Sequence, residues 1–165
     1  MVVLDSSFPV DIIQKDPAAI EKLKELEIND EMICTTVINI LELFKGAYRS
    51  SQVEKNLLQV EEIISSLIHL QIDSGVQEIF GKLSASLLKS GNRIGDFDEV
   101  IAAICLAHNQ SILTRDSHFN KVPDLSVLSY KYNENFIDPF FDLMSLKIMI
   151  EEQKNNMIIF HENLC

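Results

Sequence analysis

Short apolar runs alternate along this chain with longer segments in which apolar residues recur every three or four positions. Met1 to Leu4 is an apolar run that stops at Asp5 and passes into Ser6, Ser7 and Pro9, the pattern of a short buried strand entering a polar turn. Asp16-Pro17 predicts an N-cap followed by proline at the first helical position, with Ile20, Leu23 and Leu26 as the apolar face of a helix ending near Ile28. Met32 to Thr35 is a second apolar run. Thr36 to Arg49 follows with helical periodicity and an apolar stripe that includes Val37, Leu41, Phe44 and Tyr48. Ser51 to Leu67 is amphipathic again, with Val53, Leu57, Val60, Ile63, Ile64 and Leu67 inward, and Ile68 to Ile72 supplies a third strand. Asp73 and Ser74 cap a helix over Val76 to Leu88, which Ser90-Gly91-Asn92 ends.

The stretch from Gly95 to Asp116 packs the most chemistry into the fewest residues. Asp96 is expected to cap a helix, with Glu99 at its third position as in a capping box. Asp98 then falls in the first turn, where the positive end of the helix dipole favours an ionised carboxylate. Val100, Ile101, Ala103, Ile104 and Ala107 make this helix apolar on nearly all sides, as suits one packed deeply on a sheet, and Asn109 and Gln110 close it. Ser111 to Thr114 is a fourth strand, with Asp116 just past its end. Val122-Pro123-Asp124 reads as a turn and Leu125 to Leu128 as a last strand. Strands alternating with helices predict an α/β fold with a largely parallel sheet. After Tyr130, Asp138-Pro139 begins an extra helix carrying Phe140, Phe141, Leu143, Met144, Ile148 and Met149, and the run from Met157 to Phe160 is apolar as well. Residues 131–165 are therefore expected to form a helical extension, packed on the domain or at an interface, because they are too apolar for free coil.

Composition narrows the class. A chain of 165 residues with 47% hydrophobic and 24% charged residues suits one compact domain. No apolar run reaches the roughly 20 residues needed to span a bilayer, and Met1 lacks the basic flank of a signal peptide, so a cytoplasmic protein is expected. Cys34, Cys105 and Cys165 suggest neither a disulfide framework nor zinc spacing, and the first two read as buried thiols. A formal net charge of −11 argues against a broad basic platform for nucleic acid. It leaves room for a nuclease, because acids gathered around divalent cations attract phosphate once the ion is bound.

Acids at strand ends are placed for such chemistry. In an open α/β sheet the ligand crevice lies outside the carboxyl ends of the strands, where Asp5 and Asp116 fall, and Asp98 can join them. Each also has a plain structural reading: Asp5, with Ser7 competing, as the cap of a following helix, and Asp116 as a turn residue. Glu42 lies off the apolar stripe, on a helix face shared with Asn39, Gly46 and Arg49, where it is either a solvated glutamate or a fourth acid. Lys45, Arg49, Arg93 and Arg115 are the cations nearest these motifs and the candidates for phosphate contacts, against a reading as ordinary surface charge. His108 at a helix end and His118 in a turn fit capping or packing better than acid–base catalysis. No Ser-His-Asp arrangement, glycine-rich phosphate loop or zinc cluster is evident.

Four stretches in order, VVLDSS, TTVINILELFKGAY, IGDFDEVIAAICLAHN and ILTRDSHFNKVPDL, resemble the PIN-domain family from Met1 to about Tyr130, and within it the VapC-type toxin ribonucleases of prokaryotic toxin–antitoxin pairs. The resemblance implies a three-layer α/β/α nuclease domain over residues 1–130. It implies that Asp5, Glu42, Asp98 and Asp116 form the acidic quartet that cleaves RNA, with Mg²⁺ or Mn²⁺ on Asp5 and Asp98 and with Asp96 and Asp116 as further ligands to consider. Thr36 and Thr114 match positions whose hydroxyls support the acids, and Ser7 stands where the family often has asparagine. The implied partners are an RNA substrate, a cognate antitoxin protein and a second copy of the chain, with no membrane. A PIN-like binding module whose acids no longer catalyse is the alternative.

Overall fold

The structure, a computed structural model, describes residues 1–131. The helical extension expected over 131–165, and Cys165 with it, lies outside the described residues. Within them the order is β1 (Val2–Leu4), α1 (Ser7–Ile13), α2 (Pro17–Ile28), β2 (Ile33–Thr36), α3 (Val37–Arg49), α4 (Val53–Ser66), β3 (Ile68–Leu70), α5 (Ser74–Ser90), α6 (Asp96–Ala107), β4 (Ser111–Leu113), a 3-10 turn (Ser117–Lys121) and β5 (Val127–Leu128). The strands form one sheet in the order β3-β2-β1-β4-β5, every pairing parallel. With β1 central, Val3 pairs with Cys34 on one side and with Ile112 on the other.

Alternate residues of these strands feed two cores. Val2, Leu4, Ile33 and Leu113 face Phe8, Ile12, Ile20 and Leu23 of α1 and α2. Val3, Cys34 and Ile112 face Leu83, Leu87, Ile101 and Ile104 of α5 and α6. The period-two pleat thus makes three layers, and the central β1, covered on both faces, is apolar throughout, as the sequence pattern requires. Cys34 and Cys105 are free buried thiols, and burial pushes the Cys34 thiol up to about 12. Among the described residues no helix is long and apolar enough to cross a membrane.

Most expected caps are present. The Asp16 carboxylate accepts from Ala19 N–H at 3.0 Å with Pro17 first in the helix, Asp73 accepts from Val76 N–H at 2.9 Å, and Gly91 closes α5 in the left-handed conformation that glycine adopts without a Cβ penalty (φ 72°). Two expectations need correction. The polar segment after Asp5 is not only a turn but the start of α1, since Pro9 sits in the first helical turn, where its missing N–H leaves no bond unmade. Half of the predicted stripe of α3 is also misplaced: Val37 and Phe44 are partly buried against the cores, but Leu41 and Tyr48 are 56% and 66% exposed, and the fully buried residues are Ile38, Asn39, Leu43 and Ala47. Leu43 and Ala47 pack on Val60 and Ile64 of α4, and hydrogen bonds to Asn39 turn that polar side chain inward.

One polar seam ties the layers near the sheet's edge. Arg115 donates to Asp11 at 2.8 Å and to Asp16 at 2.7 Å, its guanidinium lies 4.2 Å from the Tyr130 ring centre, and the Tyr130 hydroxyl donates to Asp11 at 2.6 Å. Tyr130 meets Phe8 edge to face. Burial raises the Asp16 carboxyl, but the bonds from Arg115 and Ala19 outweigh it and leave the group below its ordinary value of 3.8. A depressed carboxyl contributes stability that is complete above the unfolded value and lost as pH falls through the folded one. Arg115→Ala is therefore expected to cost about 1 kcal/mol at neutral pH, and thermal melts from pH 7 to pH 3 should show the gap to wild type narrowing only below about pH 4.

Candidate metal centre

The chain order in the sheet reverses at β1, which has β2 on one side and β4 on the other. At such a switch point the crossovers leave in opposite directions and open a crevice at the carboxyl ends of the two central strands. Asp5 follows β1 there and is nearly buried, at 7% exposure. Its Oδ1 accepts from Ser6 N–H at 2.8 Å and Asn39 Nδ2 at 3.1 Å, and its Oδ2 accepts from the hydroxyls of Ser7 at 3.0 Å and Thr114 at 2.7 Å. A carboxylate has about four lone-pair positions, so the protein occupies all of them. Asp5 is no helix cap: Ser6 takes the cap position of α1, and its hydroxyl serves Glu42 instead.

Thr36 ends β2 and caps α3, accepting from Asn39 N–H at 3.1 Å while its own hydroxyl donates to Asn39 Oδ1 at 2.6 Å. That bond fixes which end of the Asn39 amide faces Asp5. Thr114 thus touches the acid directly, whereas Thr36 acts through Asn39. Neither Asn39 nor Ser6 is marked as functional by the sequence alone. The one signal for Asn39 was its place a helical turn before Glu42.

Glu42, three residues further along α3, accepts from the Ser6 hydroxyl at 2.9 Å. Burial raises its carboxyl, the charges of Asp5 and Asp98 raise it further, and the Ser6 bond and Lys45 oppose them. Asp98 is raised in the same way by burial and then by Asp116 and Asp5, against a Gly95 N–H bond and His118. These mutual effects bring Asp5, Glu42, Asp98 and Asp116 into one electrostatic site.

The start of α6 differs from the expected capping box. Gly95, not Asp96, is the N-cap, and Asp98 reaches back to accept its N–H at 3.3 Å. The helix begins one residue earlier than expected because Gly95 lets that carboxylate close over the backbone: a Cβ there would lie 2.8 Å from Asp98 Oδ2. Asp96 is an exposed first helical residue. Glu99 contributes its backbone N–H to Gly95 O rather than a side chain to the cap.

Asp116 follows β4 and is held by its N–H, which donates to Thr114 Oγ1 at 2.9 Å. Its Oδ1 accepts from His118 N–H at 2.8 Å, so it does begin the 3-10 turn while facing Asp98. Asp98, Asp116 and His118 offer ligand atoms within 4.8 Å of one another, a donor set of carboxylate oxygen and imidazole nitrogen that suits a divalent cation. Lys45, Arg49 and Arg93 are exposed, and only Arg115 has its donors committed, to Asp11 and Asp16. A cleft of ≈ 510 Å³ between α1, α3 and α4 includes Ser6, Ser7 and Glu42 in its walls but neither Asp98 nor Asp116, so the acids stand at its margin.

The family model for the PIN domain matches residues 2–125. The tRNA(fMet)-specific endonuclease VapC of Shigella flexneri is 27% identical over 124 residues, covering 74% of this chain and 92% of that protein. Ribonuclease VapC2 of Haemophilus influenzae is 32% identical over 101 residues, 61% of this chain and 75% of the relative. Among solved structures, the DNA-bound VapBC of Salmonella typhimurium aligns with a TM-score of 0.69 at 26% identity, covering 78% of this chain and 96% of that one. VapBC2 of Rickettsia felis, bound to a promoter DNA fragment, aligns at 0.72 and 24% identity over 79% of this chain and all of the other. With the parallel sheet, the flanking helices and a family match over three quarters of its length, this chain belongs to the PIN domain family.

Proposed function

We propose that this chain is a divalent-metal-dependent endoribonuclease of the VapC type, restrained by a cognate antitoxin. The convergence of Asp5, Glu42, Asp98 and Asp116 at the carboxyl ends of β1 and β4 carries the reading. Its relatives carry ribonuclease names, and the neighbouring VapBC structures are toxin–antitoxin complexes, which supports both activity and partner.

Bound Mg²⁺ or Mn²⁺ supplies a water of lowered pKa and positive charge for the departing oxygen of an in-line phosphodiester displacement. Asp98 and Asp116, whose ligand atoms converge and which each accept a single hydrogen bond, would hold the cation. Asp5, saturated by four donors, fixes the geometry around them and would reach the ion by way of a water or by releasing one donor. Glu42 keeps Oε2 on Ser6 and presents Oε1 to take a proton, a role its raised carboxyl favours. Lys45, Arg49 and Arg93 are the exposed cations for RNA phosphates.

Incubation of the purified protein with a panel of structured RNAs and Mn²⁺ tests the activity. Cleavage by wild type that falls at least 100-fold in Asp98→Asn is expected, and equal cleavage or none by both across the panel would overturn it. In the metal-free protein the same acids repel. A carboxyl raised in the folded state costs stability as pH rises from the unfolded value through the folded one, so neutralising it should help at pH 7. Glu42→Gln and Asp98→Asn are each expected to raise the metal-free Tm by about 1–2 °C, after discounting for solvent screening, while weakening Mn²⁺ binding. Gly95→Ala separates position from charge: the melt should move by less than about 2 °C, because the Asp98 side chain can yield, yet calorimetry should show Mn²⁺ affinity reduced about tenfold as that carboxylate leaves its place.

A further inference from the structure

The part of the acid site with open acceptor capacity also carries a nitrogen. Asp5 has no lone pair to spare, and Glu42 has one oxygen on Ser6. Asp98 accepts one long bond, from Gly95 at 3.3 Å, and Asp116 one backbone bond at Oδ1. His118 stands beside these two, its Nδ1 3.3 Å from Asp116 Oδ1, and among the described residues these three side chains converge closely enough to share an ion. Neighbouring ligands of an octahedral ion with bonds of about 2.1 Å stand about 3.0 Å apart, so the separation of His118 from Asp116 asks for only a small adjustment, while Asp98, within 4.8 Å of both, closes the rest of the distance on binding. The spacing is built into the backbone. His118 N–H donates to Asp116 Oδ1, which bends the 3-10 turn so that residue 118 is brought back to the acid two positions earlier.

We propose that His118 is a direct ligand of the divalent cation alongside Asp98 and Asp116, and that its nitrogen biases the site toward Mn²⁺ over Mg²⁺. The inference rests on the reading of this site as a metal-dependent nuclease and adds a selectivity to it. Mg²⁺ demands oxygen ligands and gives up its waters reluctantly, whereas Mn²⁺, though also an oxygen-binding ion, stands at the start of the first-row transition series and accepts an imidazole nitrogen more readily than Mg²⁺ does. A site of oxygens alone would distinguish the two weakly. One imidazole in the first coordination shell gives Mn²⁺ an advantage that Mg²⁺ does not share, and because His118 is 54% exposed, its removal disturbs little of the fold.

Titration calorimetry of the full chain with MgCl₂ and with MnCl₂, beside electron spin echo spectroscopy of the bound Mn²⁺, tests this directly. Wild type is expected to bind Mn²⁺ about tenfold more tightly than Mg²⁺ and to show modulation from a coordinated ¹⁴N nucleus. His118→Ala should lose that modulation and about tenfold in Mn²⁺ affinity, with Mg²⁺ affinity changed less than about twofold, whereas Asp116→Asn should weaken both ions. Bound Mn²⁺ without nitrogen modulation in wild type, modulation that persists in His118→Ala, or equal losses for both ions in that variant would overturn the role of His118 and leave the nuclease reading standing. Failure of wild type to bind either ion would instead remove the nuclease reading, and the inference with it.

Discussion

Four donors on one carboxylate organise this molecule. Asp5 receives bonds from the chain that follows it, through Ser6 and Ser7, from α3 through Asn39, and from the end of β4 through Thr114. Three of the four donors also serve or neighbour another acid: Ser6 touches Glu42, Asn39 lies one turn from it, and Thr114 holds the backbone of Asp116. A buried acid without such partners would be a large desolvation penalty, so satisfying it fixes three elements at once. The sheet brings the strand ends together, and Asp5 sets their fine spacing.

That arrangement divides labour among acids that look equivalent in the sequence. Asp5 is saturated and central, a fixed point rather than an open ligand. Asp98 and Asp116 retain capacity, and Glu42 keeps one oxygen free beside a neighbouring Lys45 whose charge offsets part of its repulsion. The difference comes from the donors within reach of each, not from the residue type. Repulsion among unneutralised carboxylates is the cost of gathering them, and a bound cation would remove it, so any ion held at this site would also stabilise the fold.

Element type and order were legible because apolar period and caps agreed. Asp16-Pro17, Asp73 and Gly91 gave helix ends that the structure keeps. The α3 stripe was misread because periodicity ranks residues by hydrophobicity, and here a buried hydrogen bond to Asn39 overrides that ranking and leaves Leu41 and Tyr48 outside. Asp96 looked like the cap because glycine has no side chain with which to announce one. What makes Gly95 the cap is the approach of Asp98, a tertiary detail with no local signature. The acids were visible at strand ends, and their convergence could be argued from the sheet. The serine and amide that orient them could not, since Ser6 and Asn39 act across 36 and 34 residues of chain.

The central place of β1 also sets an order of events in synthesis. Of the five described strands β1 is made before the others and must wait for β4, and the bond from Thr114 to Asp5 joins residues 109 apart. Until the chain has emerged beyond residue 116, β1 lacks one neighbour, Asp5 lacks one donor, and two of the three side chains of the Asp98, Asp116 and His118 cluster are not yet outside the ribosome. A nascent chain can bury α1 and α2 against β1 early, yet it carries no assembled centre until β4 and the 3-10 turn after it have emerged. The site is therefore switched on by completion of the sheet, a delay written into the topology rather than into any single residue.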